Sequence, residues 1–411
     1  RGLGHAFRRL ATSAVSQTTT SNLQRSGALR PLDRRAMVRL SVAQLLPALN
    51  GGGVERGTLE IAEELVRRGH RSVVISAGGR LVPELLQAGS EHLAWPLGAK
   101  SPLVPRWVRP LRRWLAEQRI DILHARSRLP AWIAWLAWRR MDPATRPRFV
   151  TTVHGLYSIS RYSAIMTRGE RVIAVSDTVR AYLRRHYPEL PTERVQVIQR
   201  GVDPMDFPYG YRPTSDWLAD WYRHYPQLRD VPILTLPGRL SRLKGHEEFI
   251  ELIARLRAVG RPVHGLIVGG PEPHRQAYAD ALRENVRSRG LAGIVLFTGH
   301  RADMRDIYAV STLVLSLSAK PESFGRTVLE ALSLGRPVVA YAHGGVGEIL
   351  DRLYLAGRVP PGDVETLLAR VAGLLDAPAP VPAEPAFPLR RMLDETLAFY
   401  AALHRAPRAP A

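Results

Sequence analysis

From Met37 onward, short apolar runs alternate with stretches of helical periodicity. VRLSVAQLL, RSVVISA, RIDILHA, RFVTTVHG and RVIAVS read as strands, and VERGTLEIAEELVRRG, PAWIAWLAWRR and DTVRAYLRRHYP between them read as helices. Buried strands separated by helices are the sequence form of parallel βαβ units, so the pattern predicts an α/β chain with doubly wound sheets. Around residues 203–231 the alternation breaks into a stretch rich in proline, aromatic and turn-forming residues, which reads as an interdomain connection. It then restarts, with PILTLPGRL, VHGLIVGGP, IVLFTGH, TLVLSLS and RPVVAYAHGG as strands and HEEFIELIARLRAVG, AYADALRENVRSRG and DVETLLARVAGLLD as helices. No fixed short repeat is present, which argues against a solenoid. The last amphipathic run, LRRMLDETLAFYAALHR, is a helix able to pack back across the domain boundary. The expected organisation is a disordered basic extension over 1–36, an N-terminal half over 37–205, a C-terminal half over 206–385, and a crossing helix with tail over 386–411.

Composition narrows the partners. The 411 residues suit two domains of roughly 150 to 200 residues each. A formal charge of +21 points to anionic partners: nucleic acid, a phosphorylated substrate or an acidic membrane surface. The excess is nearly all arginine, since Lys100, Lys244 and Lys320 are the only lysines. Absence of cysteine excludes a disulfide scaffold and thiolate metal sites. No apolar run approaches the length of a membrane-spanning helix. Residues 1–36 hold seven arginines and one acid; they read either as an organellar transit peptide or as an over-long gene model or fragment.

The densest chemistry lies in SAKPESFGRTVLEALSLGRPVV, residues 318–339. Ligands of open parallel sheets bind beyond the carboxyl ends of the strands, where loops lead into helix N-termini. Here TLVLSLS is a strand, AKPES a loop, and Gly325 to Leu334 a helix that Gly335 can end. First-turn amides at the positive end of that helix suit a diphosphate, and Gly325 permits close approach. Glu330 stands five residues further on, about 7.5 Å along a helix axis, within range of a ribose. Glu322, before the helix, faces the group on the far phosphate, and carboxylates accept hydrogen bonds from sugar hydroxyls. The competing reading is that Glu322 or Ser323 caps the helix and Glu330 is solvated.

A second anion site is expected in LPGRLSRLKGHEEFI, where a strand ends at Leu236 and Arg239, Arg242 and Lys244 precede a helix opening near His246. Cations at such a turn neutralise a leaving diphosphate without a metal. It is not a Walker A loop. Gly51, Gly52 and Gly53, between the first strand and first helix, read as a phosphate-cradling turn or as a tight connection. His124 and His154 both end strands and so stand at the ligand edge, where a lone histidine is more often structural.

Taken in order, GGGVER, TVHG, VIAVSD, VIQRGVD, GRLSRLKG, LIVGG, FTGHR and PESFGRTVLEALSLGRPVVA resemble the retaining nucleotide-sugar glycosyltransferases of family four, also called group 1, over roughly residues 38–350. The resemblance implies the GT-B fold: two Rossmann-like domains facing a cleft, with a C-terminal helix crossing back. It implies a catalytic set of His154, Glu322, Arg239 and Lys244. Glu330 would bind the ribose, Glu322 the transferred sugar, and Arg239 and Lys244 the diphosphate, with the amides of Gly325, Arg326 and Thr327. Gly53 would approach the phosphates from across the cleft, Gly299 of FTGHR would line the donor site, and His154 would contact the donor sugar. The donor is a nucleotide-diphosphate sugar used as substrate, with no cofactor and no metal implied. In the family the sugar is transferred with retention, commonly explained by front-face attack, which needs no covalent nucleophile. One departure is Arg200 in QRGVD, where many relatives carry a small polar residue.

The implied acceptor is a glycan or a lipid-linked molecule, in a bacterial enzyme of lipopolysaccharide or surface polysaccharide synthesis on the cytoplasmic side of the membrane. PLVPRWVRPLRRWLAEQR, with Trp107, Trp114, Arg109, Arg112 and Arg113, reads as an interfacial helix on anionic lipid or as a solvated helix with tryptophan in the core. PAWIAWLAWRR reads as a buried helix. A nucleic-acid-binding protein would also explain the charge, but the arginines are spread over both halves and no binding module is present. A sugar-nucleotide epimerase or a phosphorylase would share the architecture without being favoured by the paired glutamates.

Overall fold

The computed structural model describes residues 38–99, 101, 103–271, 276–383 and 386–408; the extension expected over 1–36 lies outside them. Arg39–Ala411 form one compact unit. Within it are two parallel sheets. The first holds β1 (Ser41–Leu45), β2 (Arg71–Ser76), β3 (Glu91–Ala94), β4 (Ile122–Ala125), β5 (Arg148–Val153), β6 (Arg171–Ala174) and β7 (Val195–Val197), in the order β3-β2-β1-β4-β5-β6-β7. The second holds β8 (Ile233–Pro237), β9 (His264–Val268), β10 (Val295–Gly299), β11 (Leu313–Ser316), β12 (Val338–Tyr341) and β13 (Arg358–Val359), in the order β10-β9-β8-β11-β12-β13. These are the two expected Rossmann-like α/β layers. Each chain half starts mid-sheet, winds to one edge and returns to the other. The strand order therefore reverses between β1 and β4, where Val42 pairs with Ile122, and between β8 and β11, where Leu313 pairs with Leu234. Such reversal points open a crevice at the carboxyl ends of the strands.

Successive strand residues point to opposite faces. In the first sheet Leu45, Leu123, Ala125, Phe149 and Val172 join one core cluster, which also takes Leu111 and Leu115, Ile133 and Ala137, and Val179 and Leu183 from the helices Val108–Glu117, Arg128–Trp138 and Asp177–His186. Their neighbours Val42, Ile122, Val150 and Ile173 join another, covered by Ile61 and Leu65 of the helix Gly53–Arg67 and by Met392, Leu397 and Tyr400 of the final helix, Leu389–Arg405. The end of the chain therefore completes the core of its beginning. The Tyr400 hydroxyl lies 2.6 Å from His124 Nδ1, and His124 Nε2 lies 2.7 Å from Thr152 Oγ1. Burial, and then the charges of Arg126 and Arg200, hold this imidazole well below its ordinary pKa. His124 is thus a neutral, fully hydrogen-bonded core residue.

The two passages of chain between the halves are joined to each other. Val202 N donates to Phe387 O at 3.1 Å and Leu389 N to Val202 O at 3.0 Å. A Cβ on Gly201 would lie 2.6 Å from Leu389 N, so only glycine fits there.

One local expectation changes, and of one pair of alternatives the structure shows the solvated helix with tryptophan in the core. The stretch around 203–231 contains a helix, Ser215–His224, capped by Thr214, whose side chain accepts from Trp217 N. Trp217, Trp221 and Tyr225 recur at four-residue spacing; the first two stack at 5.0 Å between ring centroids and Tyr225 meets Trp221 at 4.5 Å, tilted by 47°. Trp221 packs with Ile233, Leu266, Val268 and Ile307 of the second half. Much of the stretch is therefore a layer of that half rather than a connection; flanking prolines and tyrosines masked the helical period. In Val108–Glu117 the tryptophans face inward: Trp107 and Trp114 pack on the core and meet Trp95 at 5.2 and 6.2 Å. Arg109, Arg112 and Arg113 remain exposed. No described helix is long and apolar enough to cross a membrane.

Replacing Tyr400 by Phe leaves His124 Nδ1 buried without its partner. The expected cost is about 1–3 kcal/mol, read as a lowered urea midpoint at unchanged slope; an unchanged midpoint would show that the contact does not tie the final helix to the sheet.

Candidate functional site

Beyond the carboxyl end of β11 the helix runs Arg326–Ser333, one residue shorter at each end than expected. Gly325 is its N-cap at φ +107°, and no side chain caps it, so the capping reading of Glu322 and Ser323 does not hold. A Cβ on Gly325 would lie 2.6 Å from Val346 Cγ2. Glycine is required there by the packing of the neighbouring helix Gly344–Leu353, a reason other than ligand approach. Gly335, left-handed at φ +79°, follows the helix end.

The loop before this helix makes two connections. Ser323 Oγ donates to His154 O at 2.6 Å, tying the second half to the end of β5. Glu322 Oε1 accepts from Lys244 Nζ at 2.7 Å and from Ser318 Oγ, while Ser318 O lies 2.8 Å from His343 Nε2. Burial pushes the Glu322 carboxyl up, but Lys244 and Ser318 together outweigh it, and its pKa is lowered. Lys244 ends a short turn, Arg242–Lys244, followed by Gly245 at φ +72° and the helix His246–Ala258. A Cβ on Gly245 would lie 2.1 Å from Leu317 O. The close packing of this turn on the β11 loop brings Lys244 to Glu322.

A second cluster centres on Arg326. Its Nη2 donates to Glu60 Oε1 of the first half at 2.5 Å and its Nε to Glu330 Oε1 at 3.0 Å, while Tyr308 OH donates to Glu330 Oε2 at 3.2 Å. Burial opposes charge on the guanidinium, yet the two carboxylates raise its pKa. For Glu330 burial wins over Arg326, and its pKa is raised.

Between the halves lies a cleft of about 1270 Å³ that includes Glu60, Arg80, Arg239, Arg326, Thr327 and Glu330 in its lining. Of the expected site residues, Arg239, Arg326, Thr327 and Glu330 are together here. Lys244 and Glu322 form their own pair beside it, and His154 joins them through Ser323. Gly53 is exposed at the start of its helix. Gly299, at φ +70°, ends β10 and accepts from Gly269 N at 2.9 Å. His154 Nε2 is sealed from solvent without a hydrogen-bond partner among the described residues. Burial, then Arg200 and Arg126, hold its imidazole well below the ordinary value, so it is neutral at pH 7. Glu60, Tyr308, Ser318 and His343 complete the two clusters without having been singled out by the sequence pattern.

Comparison with known proteins follows this division. The family model "Glycosyltransferase Family 4" matches residues 51–205, and "Glycosyl transferases group 1" matches 231–377. The chain belongs to the group 1 glycosyltransferases. A glycosyltransferase structure from Rickettsia africae superposes with a TM-score of 0.77 at 29% identity, over 90% of this chain and all of that one. Anabaena HepE, solved with UDP-glucose, superposes at 0.74 with 21% identity over 89% of this chain and all of that one. The chain has the GT-B fold. Among curated proteins, the D-inositol 3-phosphate glycosyltransferase of Gordonia bronchialis is 30% identical over 55% of this chain and 52% of its own length. The phosphatidyl-myo-inositol mannosyltransferase of Mycobacterium leprae is 26% identical over 79% and 84%. The chain spans about half the length of the first curated relatives it matches.

The lowered pKa of Glu322 fixes the sign of a pH effect. Its contribution to stability is fully present above the unfolded value, about 4.3, and is lost as pH falls through the lower folded value. In Lys244→Met burial remains without the cation, so the acid limb of the Tm-against-pH curve moves to higher pH. An unmoved limb would show that the pair carries no linkage.

Proposed function

We propose that the chain is a retaining, nucleotide-sugar-dependent transferase that moves a hexosyl group to a glycan or lipid-linked acceptor. The observation that carries this is the Lys244–Glu322 pair standing beside the uncapped N-terminus of Arg326–Ser333. Lysine has three N–H donors, and Glu322 uses one, leaving two for a phosphate. Arg239, Lys244 and the first-turn amides of Arg326 and Thr327 stabilise the charge that develops on the leaving diphosphate, and Gly53 and Gly299 let backbone come close to the donor. Glu330, with one protein partner on each oxygen, keeps lone pairs for the ribose hydroxyls. Glu322 and neutral His154 hold the sugar. The bond from C1 to the diphosphate oxygen breaks, the acceptor oxygen bonds C1 on the same face, and the acceptor proton passes to the departing phosphate. No protein nucleophile or resident cofactor enters this scheme.

The acceptor side belongs to the first half, whose exposed Arg109, Arg112 and Arg113 offer positive charge to an anionic membrane at its cytoplasmic face. Lipopolysaccharide or surface polysaccharide synthesis fits that placement.

Thermal shifts with uridine, guanosine and adenosine diphosphate sugars, beginning with UDP-glucose, test the donor. A donor at a hundred times its Kd adds about 2.7 kcal/mol. Lys244→Ala is expected to lose both shift and transfer while keeping its circular dichroism spectrum; full transfer by this variant would refute the assignment. No shift with any donor, alongside salt-sensitive RNA binding, would favour a nucleic-acid-binding protein instead.

A further inference from the structure

Arg126 stands at the carboxyl end of β4, beside the strand-order reversal of the first sheet, and Arg200 follows β7. They meet over Gly57: a Cβ built there would lie 3.2 Å from Arg126 Nη2, 3.8 Å from Arg200 Nη1 and 3.9 Å from Glu60 Oε2. Arg126 is 1% exposed and Arg200 8%. Arg126 Nη1 donates to Gln44 Oε1 at 2.9 Å, and Arg200 Nη1 meets Met392 Sδ at 3.4 Å. Among the described residues neither hydrogen-bonds a carboxylate. Arg126 Nε and Nη2, Arg200 Nε, Glu60 Oε2 and His154 Nε2 are buried without a hydrogen-bond partner among the described residues, five of thirteen such side-chain atoms. Gathering them in one place is not what a finished core does: buried charges are ordinarily paired, because an unpaired one is costly. Burial and the adjacent Arg126 bring Arg200 down to about 9, and burial brings Arg126 down to about 10, so both stay charged at neutral pH.

We infer that Arg126 and Arg200 form an anion-binding acceptor subsite, and that the acceptor carries a phosphate or carboxylate close to the hydroxyl that receives the sugar. This rests on the transferase reading above. Guanidinium forks match the geometry of both anions. Glu60 Oε2 would repel a bare anion but accepts a hydroxyl, so the ligand class is a hydroxyl-bearing anion. The cations assigned to the donor diphosphate, Arg239 and Lys244, lie in the second half, whereas this pair lies at the edge of the first sheet. Glu60, whose Oε2 stands over Gly57 with both guanidiniums, lines the cleft and accepts from Arg326 with its other oxygen, which puts the pair beside the donor side of the cleft.

The test is calorimetric titration of inorganic phosphate into the whole chain, with and without the saturating nucleoside diphosphate chosen by the donor panel. Wild type is expected to bind phosphate equally in both conditions. Arg126→Gln and Arg200→Gln are each expected to weaken phosphate roughly tenfold or more, with nucleotide affinity unchanged. Their phosphate-free Tm should equal or exceed that of wild type, because each loses one of two like charges buried side by side with a single nearby carboxylate, Glu60. If either glutamine variant fails to fold, Arg200→Lys, which keeps charge without the fork, is expected to bind phosphate more weakly at unchanged nucleotide affinity. The inference is overturned if wild type does not bind phosphate, if the variants bind it as wild type does, or if the nucleotide displaces it. Phosphate binding through Arg200 in a protein that binds none of the panel's nucleotides would keep the anion site and remove its role as an acceptor subsite, counting against the transferase reading.

Discussion

Two carboxylates from opposite sides of the cleft share one guanidinium. Glu60 and Glu330 both bond Arg326, and all three are largely withdrawn from water. Separating the halves at this point would strip Glu60 of its cation and leave Arg326 to Glu330 alone, so the ion pair helps decide which surfaces of the two sheets face each other. Buried ion pairs seldom add much net stability, since desolvation offsets attraction. What such a pair supplies is a choice of geometry, with Ser323 on the His154 carbonyl and Glu348 bonded to the Asp177 and Thr178 amides of the first half making the same choice nearby.

The same constraint explains how charge is distributed. A chain with 58 basic and 37 acidic residues must leave many cations without partners, and most of these stand on the surface, where water screens them. Of the interior exceptions, Arg148 is held by Glu170 at the amino end of β5, and the others discussed above stand near the cleft. Glu322 holds Lys244, Glu60 and Glu330 hold Arg326, and Arg126 and Arg200 are left over. The sign of the interior is therefore positive on the side of the first half and balanced on the side of the second.

Much of this was legible in the sequence because parallel strands buried on both faces leave near-continuous apolar runs, such as LVL in β11 and VVAY in β12. Glu322, Lys244, Arg326 and Glu330 could be marked because loops at strand ends carry ligand chemistry. Their partners could not. Glu60 and Arg326 are 266 positions apart, and a pairing over that distance leaves no local pattern. Gly325 was marked for a ligand, whereas Val346 is what demands it. The helix around Trp221 was hidden because its period is carried by aromatic residues among prolines, a composition that otherwise signals irregular chain.

The final helix has a consequence for synthesis. The first half is a discontinuous domain: one face of its sheet, with Val42, Ile122, Val150 and Ile173, is covered in part by residues 389–405. Domains generally fold as units, and N-terminal ones ahead of later ones as the chain emerges from the ribosome. Here that order is inverted. The second sheet, Ile233 to Val359, is a single uninterrupted stretch and can close while the first still shows an open apolar face. The strands of the first sheet are made before the helix that finishes their core, and until residues 389–405 have emerged this apolar face is open to meeting another like it.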